Sequence, residues 1–255
     1  MAFLSDTRYL FVRAMKKLIR NPILLFFSLF QPIIFLVLFT QLFSRFSQLP
    51  GFPAGSYLLF ATPGILLQNA FSSALQSGTS VVTDLDSGYL QKMLVTPVSR
   101  YAILMGRLTS DAFRVVIQSV ILLALALLLG ASVATGLPGI IMILVTMAFF
   151  GLAWSGISLT LGLRTRNAET VFGISAFLTF PLLFMSTALT PSSFMPSWMQ
   201  TVSSINPISY TVNAARALVL SGYDWGTIAQ AYVFIGAIAA VTLGATLYMF
   251  RKVVS

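Results

Sequence analysis

Six long apolar runs, separated by shorter polar segments, dominate the chain. They lie at about residues 23–43, 57–82, 112–133, 139–163, 170–189 and 226–250. Each run is close to or longer than the ~20 residues that a helix rising ~1.5 Å per residue needs to cross a hydrocarbon core ~30 Å thick. The pattern therefore predicts an all-α integral membrane protein with six transmembrane helices, folded as a single transmembrane domain over residues 1–255.

The first 22 residues have a different pattern. Between residues 4 and 20, apolar side chains recur at helical spacing on one face, and basic side chains lie largely elsewhere. Such a pattern is typical of a helix that lies in the headgroup region of a membrane. Residues 1–22 are therefore predicted to form an amphipathic interface helix that ends at Asn21 and Pro22.

The distribution of charge predicts an orientation. The chain is 57% hydrophobic and only 8% charged, which excludes an ordinary soluble domain. A net charge of +9 could indicate nucleic-acid binding, but the basic residues punctuate the apolar runs instead of forming one basic face. With six spans, 13 of the 15 Lys and Arg residues lie on the side of the two chain ends, and only Arg45 and Arg216 lie opposite. The positive-inside rule therefore predicts cytoplasmic N- and C-termini.

The most polar internal stretch, residues 84–111, is predicted to be a cytoplasmic loop with helical pieces. Gly88 can end the preceding span, Leu90 and Leu94 share one face of a short helix, and Pro97 stops that helix. An exposed apolar face on a cytoplasmic helix would fit the groove of a soluble partner. A solvated connector lying on the membrane explains the same spacing equally well.

Residues 190–225 are too broken to span a membrane and too apolar for a simple loop. Prolines interrupt this segment repeatedly, and aromatic residues of the interfacial kind surround them. Irregular backbone at membrane depth is tolerated only where protein covers it or where it faces a water-filled cavity. We therefore expect a re-entrant pair of short helices on the outer side. An ordinary outer loop with an interfacial helix is the alternative.

The sequence lacks the residues that several kinds of catalysis and metal binding require. There is no Cys and no His, which excludes thiol and imidazole catalysis and the metal sites built on those ligands. No Gly-x-x-x-x-Gly-Lys-Ser/Thr segment occurs, so the chain has no P-loop for nucleotide hydrolysis. No acidic residue falls in the middle of a predicted span, which weakens a proton- or sodium-coupled carrier.

Three stretches carry a recognisable pattern. They are the basic segment ending in Arg20-Asn21-Pro22; the central run from Gly88 through Leu94-Val95-Thr96-Pro97-Val98-Ser99-Arg100 to Gly106-Arg107; and the late runs Leu189-Thr190-Pro191, Met195-Pro196-Ser197-Trp198 and Asn206-Pro207-Ile208-Ser209-Tyr210, followed by Arg216. In this order they cover essentially the whole chain. The sequence resembles the type-2 ABC exporter permeases, and among them the daunorubicin-resistance permeases most.

The resemblance implies the membrane-spanning permease subunit of an ATP-driven exporter. Its substrate would be an amphipathic drug, a lipid or a lipid-linked glycan that leaves the cytoplasm or the inner leaflet of a plasma membrane. The implied partners are a second permease copy or a paralogue, membrane lipid and two separate ABC ATPase subunits, but no nucleic acid. ATP and Mg²⁺ would bind to the ATPases, so that this chain itself would hold no cofactor and no metal.

The resemblance also assigns two groups of site residues. The family's coupling helix corresponds to about residues 87–96, and the expected ATPase-coupling residues are Asp84, Asp86, Gly88, Leu90, Lys92, Leu94, Pro97 and Arg100. Re-entrant helices line the outer end of the path at about residues 191–221, and the expected gate residues are Pro191, Pro196, Trp198, Asn206, Pro207, Tyr210 and Arg216.

Two other classes of function stay open on the sequence. A non-transporting membrane scaffold could use the loop at residues 84–111 only to recruit partners. A membrane-embedded hydrolase is the weaker alternative, since its Ser or Asp would need a positioned base and the chain has no histidine.

Overall fold

The computed structural model describes residues 2–96 and 98–254, without the side chains of residues 2, 3, 17, 24, 94, 100, 253 and 254. Pro97, predicted to stop the coupling helix, lies outside the described residues. The regular structure of the described part is helical throughout: α1 (Ala2–Arg20), α2 (Pro22–Leu42), α3 (Tyr57–Asp86), α4 (Tyr89–Leu94), α5 (Arg100–Leu128), α6 (Gly136–Thr165), α7 (Ala168–Phe184), α8 (Ser197–Ile205), α9 (Pro207–Leu220) and α10 (Trp225–Val254), with two short 3-10 turns at Ser44–Gln48 and Ser192–Phe194.

Five helices of the described part are long and apolar enough to cross a membrane, whereas the sequence pattern predicted six. Their apolar segments are Leu25–Leu42, Tyr57–Asp86, Tyr101–Leu128, Gly136–Thr165 and Trp225–Lys252. The difference is α7, which is apolar but has only 17 residues. It ends at Phe184, where the backbone turns. The carbonyl groups of that turn accept hydrogen bonds from side chains of later segments instead of continuing the helix.

The long helices alternate in direction, as the contacts between their ends show. The C-terminal ends of α3, α6 and α10 pack with the N-terminal ends of α5 and α7 in one apolar cluster. A second, larger cluster joins the other ends of these helices with α2 and α9. The first cluster lies at the end of the molecule that we call the basic end, because 13 of the 15 Lys and Arg residues belong to the segments there.

The central helix is α3, in which 20 of 30 residues are buried. Its backbone lies against two other elements at glycines. A Cβ on Gly78 would lie 2.4 Å from the Ser158 carbonyl oxygen, and a Cβ on Gly64 would lie 2.3 Å from the Ala188 carbonyl oxygen. These contacts require glycine, because any side chain would push α6 or the turn after α7 away.

Residues 2–20 form the helix that was predicted at the N-terminus. One face of α1 packs on α5: Leu10 lies over Gly106, and the rings of Phe11 and Phe113 meet edge to face at 5.4 Å. Leu4 and Ile19 are largely exposed on another side. The helix is thus attached to the bundle and still presents apolar and basic side chains outward.

The polar stretch at residues 84–111 is more helical than the predicted loop. Helix α3 continues to Asp86 and α5 begins at Arg100, so only residues 87–99, with the short α4, connect them. Asp84 of α3 pairs with Arg107 of α5 there. Both helices therefore continue through a segment that is too polar to be counted in an apolar run. At ~1.5 Å per residue, 30 residues of α3 extend about 45 Å, well beyond a ~30 Å hydrocarbon core.

Candidate coupling and gating regions

Gly88 ends α3 and begins α4. Its φ of +66° lies in the left-handed region, and its N–H donates to the Leu85 carbonyl oxygen at 3.1 Å. This is the glycine-capped helix end predicted for the position, where a residue with a Cβ would be strained. The chain reverses there, and α4 follows at once.

The apolar face of α4 is turned into the protein, which corrects the expectation that it would be exposed to a partner. Leu90 is only 2% exposed and packs in the cluster of the basic end, with the half-buried Met93 against the same cluster. The side chain of Leu94 lies outside the described residues. The spacing of leucines in a short helix does not show which part of the protein covers them. Here Leu90 is covered by the cluster that contains the ends of α3 and α5.

The outward side of α4 is polar, and sequence reasoning singled out only part of it. Gln91, Lys92 and Thr96 are exposed, and Val95 is 86% exposed. Asp86 is also exposed and makes no ion pair within the described part of the chain. These residues form what we call the α4 surface.

Asp84 has a different place from Asp86. Its carboxylate accepts a hydrogen bond from Arg107 at 2.8 Å and forms an ion pair with it. Arg107 also donates to the Ser80 hydroxyl and to the Ser77 carbonyl oxygen. Asp84 therefore fixes the end of α3 to α5. The side chain of Arg100 lies outside the described residues.

Helix α1 contacts the connection between α3 and α5, residues 87–99, near both of its ends. The Arg13 guanidinium lies over the Tyr89 ring, 4.0 Å from its centroid, and Asp6 accepts from the Ser99 N–H at 3.5 Å. Sequence reasoning missed these residues, because they are separated by 76 to 93 positions and no spacing relates them. Together α1, α4 and the start of α5 form one surface at the basic end.

Asp111 is buried within α5, whereas the sequence pattern placed it in the loop at residues 84–111 and no acidic residue in the middle of a span. It lies in the apolar segment Tyr101–Leu128 and is 3% exposed. Its carboxylate accepts from the Ser77 hydroxyl and lies 3.5 Å from the Arg114 guanidinium. A buried carboxylate is held here by a cation and a hydroxyl, which the one-dimensional pattern could not show.

At the opposite end, Arg216 joins three elements. It is 8% exposed and donates to the carbonyl oxygens of Thr187 at 2.7 Å, Ala188 at 3.2 Å and Phe60 at 3.2 Å. It also donates to the Asn213 amide oxygen at 2.9 Å, and its guanidinium lies 3.8 Å from the centroid of the Phe60 ring. We call this set of contacts the Arg216 clamp. It satisfies the carbonyl groups of the turn that follows α7.

Asn206 and Pro207 form the joint between α8 and α9. The Asn206 side chain accepts from the Ile208 N–H at 3.0 Å and thereby caps α9, and Pro207 occupies the first turn, where it needs no N–H partner. The amide nitrogen of Asn206 donates to the carbonyl oxygens of Leu182 at 2.7 Å and Met185 at 3.2 Å. The joint is thus tied to the end of α7.

The remaining predicted gate residues separate into inner and outer positions. Pro191 is buried and lines a cavity of about 210 Å³ among aromatic side chains, which are Phe39 of α2, Phe43 and Phe46 just after it, Tyr57 of α3 and Phe184 of α7. Tyr210 stacks on Phe234 of α10 at 4.2 Å. Pro196 and Trp198 are exposed on α8 and at its start.

Asp224 begins the last helix at this end. Its carboxylate accepts from the backbone N–H groups of Gly226 at 3.1 Å and Thr227 at 3.2 Å. The hydroxyl and backbone N–H of Thr227, together with the Gly226 N–H, hold the pKa of Asp224 below its usual range. The carboxylate therefore stays ionised as the cap of α10.

Comparison with known proteins decides what this architecture belongs to. The sequence model of the ABC-2 type transporter matches residues 5–220, which include most of α1, the connection between α3 and α5, and the segment that carries the Arg216 clamp.

The chain belongs to the ABC-2 type transporter family.

Several relatives of this ABC-2 chain match over most of their length. A putative transport permease, ycf38, of Cyanophora paradoxa is 34% identical over 220 residues, which are 85% of this chain and 74% of that protein. The daunorubicin resistance ABC transporter permease protein DrrB1 of Streptomyces coeruleorubidus is 31% identical over 241 residues, which are 94% and 84%. A probable doxorubicin resistance ABC transporter permease protein, DrrC, of Mycobacterium tuberculosis is 24% identical over 220 residues, which are 86% and 79%. The family resemblance is confirmed, and the chain is a membrane permease of ABC-2 type.

The ABC-2 fold separates the two groups of predicted site residues. The coupling group lies at the basic end, with Asp86 and Lys92 on the α4 surface and Leu90 in the core beneath it. The gate group lies at the opposite end, where Arg216 and Asn206 both bond to backbone near the end of α7. Coupling and gating roles for these residues remain predictions.

Proposed function

We propose that this chain is the permease subunit of an ATP-driven exporter that moves an amphipathic drug, a lipid or a lipid-linked glycan out of the cytoplasm or the inner leaflet. Two separate ATPase subunits would bind ATP and Mg²⁺, and a second permease copy or a paralogue would complete the path. Family membership supports this proposal, as do relatives that are named for daunorubicin and doxorubicin resistance.

The basic end faces the cytoplasm in this proposal, with both chain termini on that side of the plasma membrane. The concentration of 13 of 15 basic residues at one end supports the orientation. Helix α7 and the protein-covered turn after it would make a sixth crossing, although 17 residues rise only about 25 Å. The Arg216 clamp supports this, since irregular backbone inside a membrane needs such partners.

The observation that carries the proposal is the α4 surface. It is exposed, mostly polar with Val95 as its apolar member, and placed at the basic end between α1 and α5, whereas the inward Leu90 packs in the core. An ATPase that docks there would contact Lys92, Asp86 and Val95, and the buried Leu90 would transmit the push of that contact to α3 and α5. The exposed side chains would contact the ATPase directly. The buried Leu90 would hold α4 rigidly against the bundle, so that movement of α4 also moves α3 and α5.

At the opposite end, α8 and α9 would act as the re-entrant outer gate. Neither helix is long enough to span, having 9 and 14 residues. The aromatic cavity of about 210 Å³ beside Pro191 would receive an apolar part of the substrate. Its lining supports an amphipathic substrate over a fully polar one.

The proposal is tested with the chain reconstituted together with its ATPase. Lys92→Glu and Val95→Asp should preserve insertion and folding, because both side chains are exposed, and should lower transport per ATP hydrolysed severalfold. Arg45→Glu reverses an exposed charge at the opposite end and serves as the matched control. Unchanged coupling in both α4 variants would contradict the proposed docking.

The same assay separates a transporter from a scaffold. A permease should stimulate the ATP hydrolysis of its partner in a substrate-dependent way and move substrate across the vesicle membrane. Co-purification of an ATPase without stimulation or transport would favour the scaffold and reject the exporter.

A further inference from the structure

A seam of polar side chains joins α3 to α5. On α3 it comprises residues 69, 73, 76, 77, 80 and 84, which share one helical face, and on α5 it comprises residues 107, 111, 114 and 118 at heptad spacing. The seam begins at the basic end and reaches about 16 Å along α5, from Arg107 to Gln118, which is roughly half the thickness of a hydrocarbon core. Beyond it the facing residues are apolar, for example Leu66 and Leu122.

The part of the seam at the basic end is closed by direct contacts. Asp84 pairs with Arg107, and Asp111 pairs with Arg114. The two carboxylates and two guanidiniums balance, so the seam carries no net formal charge.

The deep end of the seam is different, because its polar atoms have no partner among the described protein atoms. Both amide atoms of Asn69, the hydroxyl of Ser73 and the amide oxygen of Gln118 are buried and unbonded. These residues are only 1–2% exposed. With the Nε atoms of Arg107 and Arg114, they supply six of the nine described side-chain atoms that are buried in this way.

The antiparallel packing of the two helices brings these residues to neighbouring levels. Ser77 meets Asp111, and Gln76 meets Arg114 three residues further along α5. Continuing this register by one turn puts Ser73 level with Gln118 and Asn69 about one further turn, ~6 Å, beyond it. The Gln118 amide nitrogen is already engaged, since it donates to the Ser28 hydroxyl of α2 at 2.8 Å. Its amide oxygen has no partner among the described protein atoms.

We propose that the deep end of the seam is a binding site for water molecules, which bridge Asn69, Ser73 and Gln118. The unbonded groups include donors and acceptors, so the ligand must act as both, and water does. The neutral balance of the seam argues against a bound cation or anion. A buried polar group without a partner is unfavourable, and several neighbouring groups here would each carry that cost if the site were dry.

A water-bridged contact has a mechanical consequence for the two helices. Bridging waters are enthalpically nearly as favourable as direct hydrogen bonds, and one water can serve several polar groups at once. Helices α3 and α5 are thus joined firmly by ion pairs at the basic end and adaptably near the middle of the membrane. The site goes beyond the proposed function and does not depend on it.

The sign of a stability change tests this site. Ser73→Ala and Asn69→Leu each remove polar atoms; if water bridges them, the apparent melting temperature of the solubilised protein falls by about 2–4 °C, as expected for a loss near 1 kcal/mol. If the atoms are dry, the same changes remove an unfavourable burial and raise the melting temperature. Ser73→Ala adds no bulk, so it stays informative where Asn69→Leu packs poorly.

A direct readout comes from radiolytic labelling in H₂¹⁸O, in which irradiation converts bound water into hydroxyl radicals that oxidise neighbouring side chains. Wild-type protein should incorporate ¹⁸O in peptides covering residues 66–73 and 115–122, and Ser73→Ala and Asn69→Leu should lose it. Thr62→Val is the matched control, because the buried Thr62 hydroxyl donates to the Leu58 carbonyl oxygen of its own helix at 2.7 Å and the change should leave the labelling intact. An unchanged or raised melting temperature in the Ser73→Ala and Asn69→Leu variants, or no incorporation in wild type, overturns the proposal.

Discussion

Arg216 illustrates how one residue can fix an irregular segment. Its donors reach oxygens of Phe60, Thr187, Ala188 and Asn213, which belong to three separate parts of the chain. A planar guanidinium can serve several acceptors at fixed angles, whereas a lysine ammonium offers three donors from one point. The clamp therefore depends on the shape of the side chain as well as on its charge.

Arg216→Lys should destabilise the protein by about 2–4 kcal/mol, the range for breaking a buried hydrogen-bonded network. The charge is kept, but the carbonyl oxygens of the turn after α7 lose partners. Thermal unfolding of the solubilised protein measures the change. Arg45→Lys, at an exposed position near the same end, should leave the melting temperature unaltered, and equal melting of Arg216→Lys and wild type would contradict the clamp.

Leu90 and Lys92 are two residues apart and should respond oppositely to a charge. Leu90→Asp places a carboxylate in the apolar cluster of the basic end and should reduce folded protein strongly, by at least about 3 kcal/mol of stability. Lys92→Glu should fold normally. Yield and the monodisperse fraction after solubilisation distinguish them, and a well-folded Leu90→Asp would place α4 away from the core.

At the scale of elements, α3 and α5 work as a pair that supports α4. The Asp84–Arg107 ion pair spans the gap between the end of α3 and the first turns of α5, on either side of the connection that holds α4. Both side chains are less than a third exposed, so solvent screens the pair only partly. The position of the α4 surface therefore depends on this contact between the two helices.

A charge swap tests this contact between elements. Asp84→Arg and Arg107→Asp should each lower stability by about 1–3 kcal/mol, because each leaves two like charges together, and the double variant should recover part of the loss. Thermal unfolding of the four proteins gives the coupling energy in a double-mutant cycle. If the double variant loses as much stability as the two single variants together, the Asp84–Arg107 pair makes no specific contribution to stability.

At the scale of the whole molecule, the absence of cysteine makes topology measurable. The chain has no Cys, so one introduced thiol gives one labelling site. Lys92→Cys and Ser193→Cys lie at exposed positions at the two opposite ends.

In intact cells, a membrane-impermeant maleimide should label Ser193→Cys and should reach Lys92→Cys only after permeabilisation. The cysteine-free parent controls for background. Labelling of Lys92→Cys in intact cells would reverse the proposed orientation and with it the docking of a cytoplasmic ATPase on α4. This result is independent of transport activity, so it tests the topology by itself.

The class of the protein and its family are predictable from the linear pattern alone. Apolar run length, the basic N-terminal helix and the proline breaks between residues 190 and 225 are local properties, which a linear pattern contains. Gly88 was also predictable, because a helix that reverses within two residues needs a left-handed position. Six spans were predicted and the described part has five long helices, because the fifth apolar run continues beyond the 17 residues of α7 into a turn.

The direction in which each side chain faces depends on how the helices pack. Leu90 is inward because the ends of α3 and α5 cover it, and Asp111 is tolerated inside α5 because Ser77 and Arg114 meet it there. The partners of Asp84 and Arg216 lie up to 156 residues away in the sequence. Burial and pairing depend on the neighbours that packing supplies, and a linear pattern does not contain those distances.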